Sequence, residues 1–185
     1  MSRIGNAAIN IPPAVTVEMT GSSLVVKGPL GVLSITIQPE VKVERVEQQL
    51  IVKRLGEEKR AKSIHGLTRS LIANMVTGVE KGWEKNLELV GVGYRSQTTG
   101  DKLTLAVGFS HTVEIEAPVG IKFAVLDNTK ITVTGFDKEL VGHTAAKIRS
   151  VKPPEPYQGK GIRYSGEYVR RKAGKAGKVG AAGGK

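Results

Sequence analysis

The sequence has no cysteine and few aromatic residues: one tryptophan, four tyrosines and three phenylalanines in 185 residues. Without cysteine there are no disulfides and no thiolate metal sites, which fits a reducing compartment. No segment approaches the roughly 20 consecutive apolar residues that a membrane-spanning helix needs. The N-terminal segment also lacks the apolar core of a secretory signal. Any binding surface must therefore rely mainly on charge and backbone groups.

Residue clusters that could support catalysis or bind a metal are also missing from the sequence. The three histidines have no partner at metal-ligand spacing, so we expect no zinc site. Ser110 precedes His111, but no third group suggests a nucleophilic triad. A weak third possibility, a hydrolase that uses His111 or His143, has no identifiable cleft residues. The residues by themselves therefore identify no catalytic site, and we predict no metal site.

Two glycine-rich segments resemble nucleotide-binding motifs only in part. Residues 91–96, GVGYRS, have Ser96 where a dinucleotide fingerprint needs its third glycine, and no parallel βαβ unit surrounds them. They favour a bulge or tight turn in a sheet, from which Arg95 projects. Residues 159–163, GKGIR, lack the following GK[ST] helix of a P-loop. We predict no nucleotide or other cofactor.

Hydrophobic residues alternate and then change period, and this happens twice along the chain. Residues 15–52 and 87–133 show a period of two with frequent turn residues, which predicts antiparallel strands. A helical stripe follows each stretch, and Asp137 is placed to cap the second helix. The first stripe comprises Ile64, Leu67, Leu71, Met75 and Val79, and the second comprises Leu140, Val141, Thr144, Ala145 and Ile148.

Sliding the chain by 80 residues superimposes the two halves without a gap from the third strand onward. Ile51 then falls on Ile131, and Arg69 falls on Arg149. We predict an α+β fold with two duplicated domains, each an antiparallel sheet with one packed helix, followed by an extended basic arm. The predicted limits are residues 1–82 for the first domain, 83–152 for the second and 153–185 for the arm.

Positive charge is concentrated at the C-terminus. From Lys147 onward there are eleven Lys or Arg and two Glu, which supply +9 of the net charge of +11. Such asymmetry predicts a polyanionic partner. A tail that only aids solubility is one alternative, and a general polyanion-binding module is another. A membrane surface is disfavoured because the prolines and glycines prevent an amphipathic helix.

The residue types of the arm suggest how it would bind a nucleic acid. Three prolines within residues 153–156 predict a stiff, extended spacer. The cations that follow would neutralise phosphates, and Gly159 and Gly161 would let the backbone approach closely. Tyr157 and Tyr164 would stack on bases, although either could instead pack on the second domain.

Residues 154–164, PEPYQGKGIRY, resemble the signature of the bacterial-type family of ribosomal protein six of the large subunit. The opening SRIGNAAINIPPAVTV, the segment VKGPLG and the ending GEYVRRKAGKAGK resemble that family as well. The usual signature has Lys where this chain has Gln158, which removes one possible phosphate contact. The resemblance covers essentially the whole chain.

The resemblance implies a non-enzymatic, cytoplasmic, ribosome-bound protein with no cofactor, no membrane contact and no small-molecule substrate. It implies binding of large-subunit ribosomal RNA by the second domain and the arm. The implied location is the stalk base, close to neighbouring proteins, the sarcin–ricin loop, the tRNA sites and the docking site of translational GTPases. We predict that the RNA-binding residues are Arg95, Lys147, Lys152, Tyr157, Gly159, Lys160, Gly161, Arg163, Tyr164, Arg170, Arg171, Lys172 and Lys175.

Overall fold

The structure, a computed structural model, describes residues 3–174. The first half contains six strands and one helix: β1 Ile9–Asn10, β2 Thr16–Thr20, β3 Ser23–Lys27, β4 Val32–Thr36, β5 Val41–Val46, β6 Gln49–Arg54 and α1 Lys59–Lys81. The second half contains seven strands and one helix: β7 Trp83–Val90, β8 Arg95–Thr99, β9 Lys102–Ala106, β10 Val113–Glu116, β11 Ile121–Leu126, β12 Lys130–Gly135, α2 Lys138–Val151 and β13 Gly161–Tyr164.

The predicted α+β fold with two repeated domains is confirmed. In each domain the strands divide into two antiparallel sheets where the sequence suggested one. The first domain has the orders β2-β3-β4 and β1-β6-β5, and the second has β10-β9-β8 and β11-β12-β7-β13. Each domain also has its own apolar core, formed by its strands and its helix.

The 80-residue superposition fails at one hairpin. The turn between β5 and β6 has two residues, whereas the turn between β11 and β12 has three. Ile131 is fully buried, but Ile51 is only partly buried, and its neighbours Leu50 and Val52 fill the core of the first domain. Because the side chains of a strand alternate between faces, one extra turn residue shifts the matching by one position. The predicted match of Ile51 with Ile131 is therefore wrong.

The buried face of α1 differs from the predicted stripe. Leu67 is 58% exposed, whereas His65 is 1% exposed and Thr68 is 4% exposed. His65 is tolerated in the core because its Nε2 donates a hydrogen bond to the carbonyl oxygen of Val52 at 2.8 Å. The spacing of apolar residues predicts only apolar buried faces, so it could not predict that His65 and Thr68 are buried. The other buried residues of this face are Ala61, Ile72, Met75, Val76, Gly78 and Val79.

The second helix agrees with its prediction more closely. The Asp137 carboxylate accepts a hydrogen bond from the backbone N–H of Glu139 at 2.9 Å, as an N-cap should. The predicted stripe is buried except for Leu140, which is partly buried. Across residues 3–174, neither helix is long and apolar enough to cross a membrane.

The two domains contact each other where α1 meets the start of α2. Lys138 donates a hydrogen bond from Nζ to the side-chain oxygen of Asn74 at 3.0 Å, and its Nζ lies 4.4 Å from the ring centroid of Trp83. Trp83 donates from Nε1 to the backbone oxygen of Asn74 at 3.1 Å. Gly78 lies against Phe136 so closely that a Cβ atom would collide with the Phe136 carbonyl oxygen. These contacts join the domains through a glycine, polar side chains and two aromatic residues.

Candidate nucleic-acid interface

The segment after α2 folds back onto the second domain. The N–H of Ile162 donates to the carbonyl oxygen of Lys152 at 2.7 Å, and the N–H of Glu155 donates to that of Lys160 at 2.9 Å. These bonds close residues 152–162 into a loop. The loop leads into β13, which pairs antiparallel with β7. This pairing places the fully buried Ile162 opposite Leu89.

The arm predicted over residues 153–185 is therefore not separate from the second domain along its whole length. Residues 161–164 form the fourth strand of the β11-β12-β7-β13 sheet, and Ile162 belongs to the core of the second domain. This strand could not be predicted from the sequence, because the strand has only four residues and follows a run of prolines and glycines. Strand pairing between residues about 75 positions apart leaves no local pattern.

The two glycines of the signature have structural functions. Gly161 has a φ of 144°, and a Cβ atom there would lie 2.6 Å from the carbonyl oxygen of Pro153. The sequence predicts that Gly161 lets the backbone approach a phosphate closely. In the structure, Gly161 instead lies close to the backbone of Pro153. Gly159 is buried with a φ of 75°, and a Cβ atom there would lie 3.4 Å from Nε of Arg171.

Two ion pairs fasten this strand to the domain. Arg163 pairs with Glu88 on β7 at 3.1 Å, and the Ser165 hydroxyl also donates to Glu88 at 3.0 Å. Arg149 on α2 donates from Nε to Glu167 at 3.1 Å, and Glu167 also accepts from the backbone N–H of Tyr164 at 3.0 Å. The side chains in both pairs are about one-quarter to one-third exposed.

The two carboxylates are stabilised in their charged form. The hydrogen bond from Ser165, followed by that from Arg163, holds the pKa of Glu88 below its ordinary value. The hydrogen bond from Arg149, followed by the backbone N–H of Tyr164, lowers the pKa of Glu167. Arg163 thus has its charge compensated within the protein.

The tyrosines of the segment differ in exposure. Tyr164 is partly buried against the core of the second domain, and the guanidinium carbon of Arg149 lies 5.6 Å from its ring centroid. Tyr157 is 57% exposed and Tyr168 is 90% exposed. The structure therefore favours packing for Tyr164, while Tyr157 and Tyr168 keep an accessible ring face.

Five exposed cations lie between the last turns of α2 and residue 172, and within residues 3–174 none of them forms an ion pair. They are Lys147, Lys160, Arg170, Arg171 and Lys172. The backbone of this surface is held in place, since the N–H of Lys172 donates to the carbonyl oxygen of Pro156 at 2.7 Å. We call these five residues the cationic surface. Lys175 lies outside the described residues.

Lys152 and Arg95 lie beside two turns that contact each other. Lys152 is half-buried, with its Nζ 4.8 Å from the ring centroid of Phe109. Arg95 is exposed at the start of β8, directly after a turn at residues 91–94, whereas the sequence predicted a bulge or turn over residues 91–96. The ring of Tyr94 in that turn lies against Gly108, next to Phe109. Within the described part of the chain, no hydrogen bond or ion pair joins Arg95 to the cationic surface.

A protein-family model described as Ribosomal protein L6 matches residues 11–82 and 90–165. The chain belongs to the ribosomal protein L6 family. The second match ends just after β13, so the family pattern includes this strand. The first matched segment includes α1, and the second includes α2.

Curated L6 relatives match almost the whole chain. The Large ribosomal subunit protein uL6 of Halalkalibacterium halodurans is 57% identical over 178 residues, covering 96% of this chain and 100% of the relative. Proteins of the same name from Dictyoglomus thermophilum and Synechococcus sp. (strain JA-3-3Ab) are each 57% identical over 179 residues, covering 96% and 97% of this chain and 99% of each relative.

These matches confirm the predicted family and its bacterial type. L6 proteins are structural ribosomal proteins, so the prediction of a protein that is not an enzyme is confirmed. Ribosomal RNA binding is typical of the family. In residues 3–174, no group of three or more His, Cys, Asp or Glu side chains could hold a metal ion.

Sequence reasoning missed Glu88, Arg149 and Glu167 as residues that shape this L6 segment. Glu88 and Arg163 lie 75 positions apart, and Arg149 and Glu167 lie 18 apart. Each is an ordinary charged residue in its local context, so only the folded chain reveals the pairing. The order of charged residues along the sequence does not indicate which of them pair.

Proposed function

We propose that the chain is a structural constituent of the large ribosomal subunit that binds large-subunit ribosomal RNA through its second domain and C-terminal segment. The observation that carries this proposal is the cationic surface, whose charges have no acidic partner within residues 3–174. By contrast, many cations of the first domain pair with neighbouring acids, such as Lys27 with Glu18 and Lys53 with Glu44. Unpaired cations are the ones free to neutralise phosphates.

The roles of the predicted residues divide into two groups. The cationic surface and Lys152 would contact phosphates, with Arg95 as a more distant contribution, and Tyr157 would offer a stacking face. Arg163, Tyr164 and Gly161 would act through the fold, because they hold β13 in place. Recognition would be of folded RNA shape, since the deep major groove of A-form RNA is closed to side chains.

Family membership supports a finer placement for the protein. We place it near the stalk base, beside neighbouring large-subunit proteins and the sarcin–ricin loop, with translational GTPases and tRNA docking nearby. There it would support ribosomal RNA folding and translation as a ribosome-bound cytoplasmic protein. The first domain, many of whose cations pair with its own carboxylates, would make fewer RNA contacts than the second.

A matched pair of charge variants tests the RNA-binding surface. The first replaces Lys160, Arg170, Arg171 and Lys172 with Gln, and the second replaces Lys42, Arg45, Lys59 and Lys62 of the first domain with Gln. We expect the first variant to reduce the slope of log affinity against log salt by about 3, because each neutralised phosphate contributes roughly 0.7–0.9. The second should change the slope much less. Equal slopes for the two variants would contradict the proposal.

Removing the whole arm is a poor test because residues 161–164 are part of the sheet. Removing residues 168–185 keeps β13 and the carboxylate of Glu167. We expect this shorter protein to stay folded, by circular dichroism, and to lose much of its affinity for a large-subunit RNA fragment. Unchanged affinity would mean that the C-terminal segment is dispensable.

The alternative is a general polyanion-binding module outside the ribosome. The same basic surface would then bind nucleic acids without preference for shape. Binding of the full chain to a large-subunit RNA fragment and to random duplex DNA, measured at equal salt, separates the two. A clear preference for the RNA favours the ribosomal function, and equal affinities favour the alternative.

A further inference from the structure

Strand β4 is an open edge of the β2-β3-β4 sheet. The N–H of Ile37 donates to the carbonyl oxygen of Ser22 at 2.7 Å, and the N–H of Gly28 donates to that of Gly31 at 3.0 Å. In an antiparallel ladder the hydrogen-bonded positions alternate. The backbone N–H and C=O groups of Val32, Ser34 and Thr36 therefore point away from β3, towards the open side.

The equivalent strand of the second domain is protected and β4 is not. β10 is also an edge strand, and its outward positions carry Glu114 and Glu116. Charged residues on an edge discourage pairing with another chain. The corresponding positions of β4 are Ser34 and Thr36, which are uncharged, and Val32 beside them is 55% exposed. Of these two equivalent edge strands, β10 is therefore protected against pairing with another chain, and β4 is available for it.

A groove of about 560 Å³ runs beside this open edge. Leu33 and Ile35 of β4 line one wall, and Leu71 and Met75 of α1 line the other. Asp137 and Glu139 at the start of α2 bring negative charge to one end. The Lys138 ammonium group in the same wall is already bound to Asn74 and lies over Trp83.

We propose that the β4 edge and this groove bind an extended, basic peptide segment of another protein. The segment would add a fourth strand to the β2-β3-β4 sheet through the outward groups of Ser34 and Thr36. Its apolar side chains would alternate into the groove against Leu33 and Ile35, which is the general mode of strand addition. A cationic side chain would meet Asp137 and Glu139.

The charge of the groove distinguishes among possible occupants. RNA is disfavoured because the end of the groove is acidic. A second copy of the chain pairing through β4 would present the sequence VLSIT, which has no cation for Asp137 or Glu139. An extended basic segment supplies both the strand and the complementary charge. This site is separate from the cationic surface, so it does not depend on the proposed RNA binding.

The test uses the full chain and a labelled peptide of about nine residues, a length suited to one strand. Valines occupy alternate positions so that they share one face, a lysine replaces the valine at each end of that row, and threonines fill the other positions. Ser34→Pro removes an outward N–H that does not bond to β3, so the edge strand should tolerate it. We expect Ser34→Pro to weaken peptide binding by about tenfold or more, and Ser34→Ala to leave it unchanged. Glu114→Pro, the equivalent change in β10, should also leave binding unchanged.

Further probes make the outcome specific. The same peptide with alternate N-methylated amides should not bind, and a peptide with glutamate in place of each lysine should bind more weakly than the lysine peptide. In the complex, the amides of Ser34 and Thr36 should become protected from hydrogen exchange. Binding that survives Ser34→Pro in a folded variant would overturn the proposal. So would stronger binding of the glutamate peptide, or self-association of the chain that Ser34→Pro abolishes.

Discussion

Gly161 allows the C-terminal segment to fold back because glycine has no Cβ atom. Its φ of 144° and its contact with Pro153 leave no space for a side chain. The sequence predicts that this glycine, beside a lysine, lets the backbone approach a phosphate closely. In the structure it allows two parts of the same chain to come together, and a glycine alone cannot distinguish these two roles.

Replacing Gly161 with alanine should destabilise the second domain. We expect the free energy of unfolding to fall by about 2–4 kcal/mol, because the new Cβ meets the Pro153 carbonyl in a backbone conformation that alanine rarely adopts. Urea unfolding followed by circular dichroism measures the change. Gly142→Ala on α2 is the control, since a Cβ there meets nothing within 4 Å. The control should be neutral or slightly stabilising, and an equal loss in both variants would be inconsistent with the steric explanation.

His65 illustrates a second limit at the scale of single residues. The sequence placed it on α1 without a role, yet it is buried beside Val52. Its hydrogen bond to a carbonyl oxygen satisfies a polar group that hydrophobic patterning would place outside. The prediction of the helix was therefore correct, but the face that the structure buries includes His65 and excludes Leu67.

At the scale of elements, β13 is the main difference between prediction and structure. The prolines before it were read correctly as incompatible with a helix. The strand itself depends on the edge of β7, which offers a row of backbone groups to be paired, and on two ion pairs that hold it there. The family signature is therefore largely a structural motif that presents the cationic surface.

The two ion pairs predict a pH dependence. The pKa values of Glu88 and Glu167 are lowered from the ordinary 4.5 in the folded protein, so their stabilisation is complete above that pH. It is lost as the pH falls through their lower folded-state pKa values, because protonation is then easier in the unfolded chain. Glu167→Gln should reduce stability by about 1–2 kcal/mol at pH 7.

Urea unfolding of the wild-type protein and of Glu167→Gln at pH 7 and in mild acid measures this effect. The difference between the two proteins should shrink in acid, where the wild type also loses the carboxylate charge. Glu84→Gln is a suitable control, because Glu84 is exposed on the same strand as Glu88. A difference that does not change with pH would show that Glu167 contributes only through packing.

At the scale of the whole molecule, the contact between the domains fixes where the cationic surface lies relative to the first domain. Gly78 of α1 and Phe136 before α2 touch without space for a side chain, and Trp83 and Lys138 close the contact. The sequence placed a boundary near residue 82 but contained no information on the orientation of the domains.

Gly78→Ala should change that orientation without weakening α1. Alanine favours a helix over glycine, but its Cβ would lie 2.9 Å from Nε1 of Trp83 and would collide with Phe136. We expect altered residual dipolar couplings between the domains and unchanged couplings within each one. Gly142→Ala, which touches nothing, serves as the control. Unchanged couplings between the domains would mean that Gly78 does not set their packing.

Four features could be predicted before the fold was known: the fold class, the duplication, the second helix with its cap and the concentration of positive charge at the C-terminus. These features follow from local periodicity, capping and composition. Only the tertiary structure decided that Arg163 and Arg149 pair with Glu88 and Glu167, that β13 completes a sheet and that the β4 edge is open. Each of these depends on contacts between distant residues, and such contacts exist only once the chain has folded.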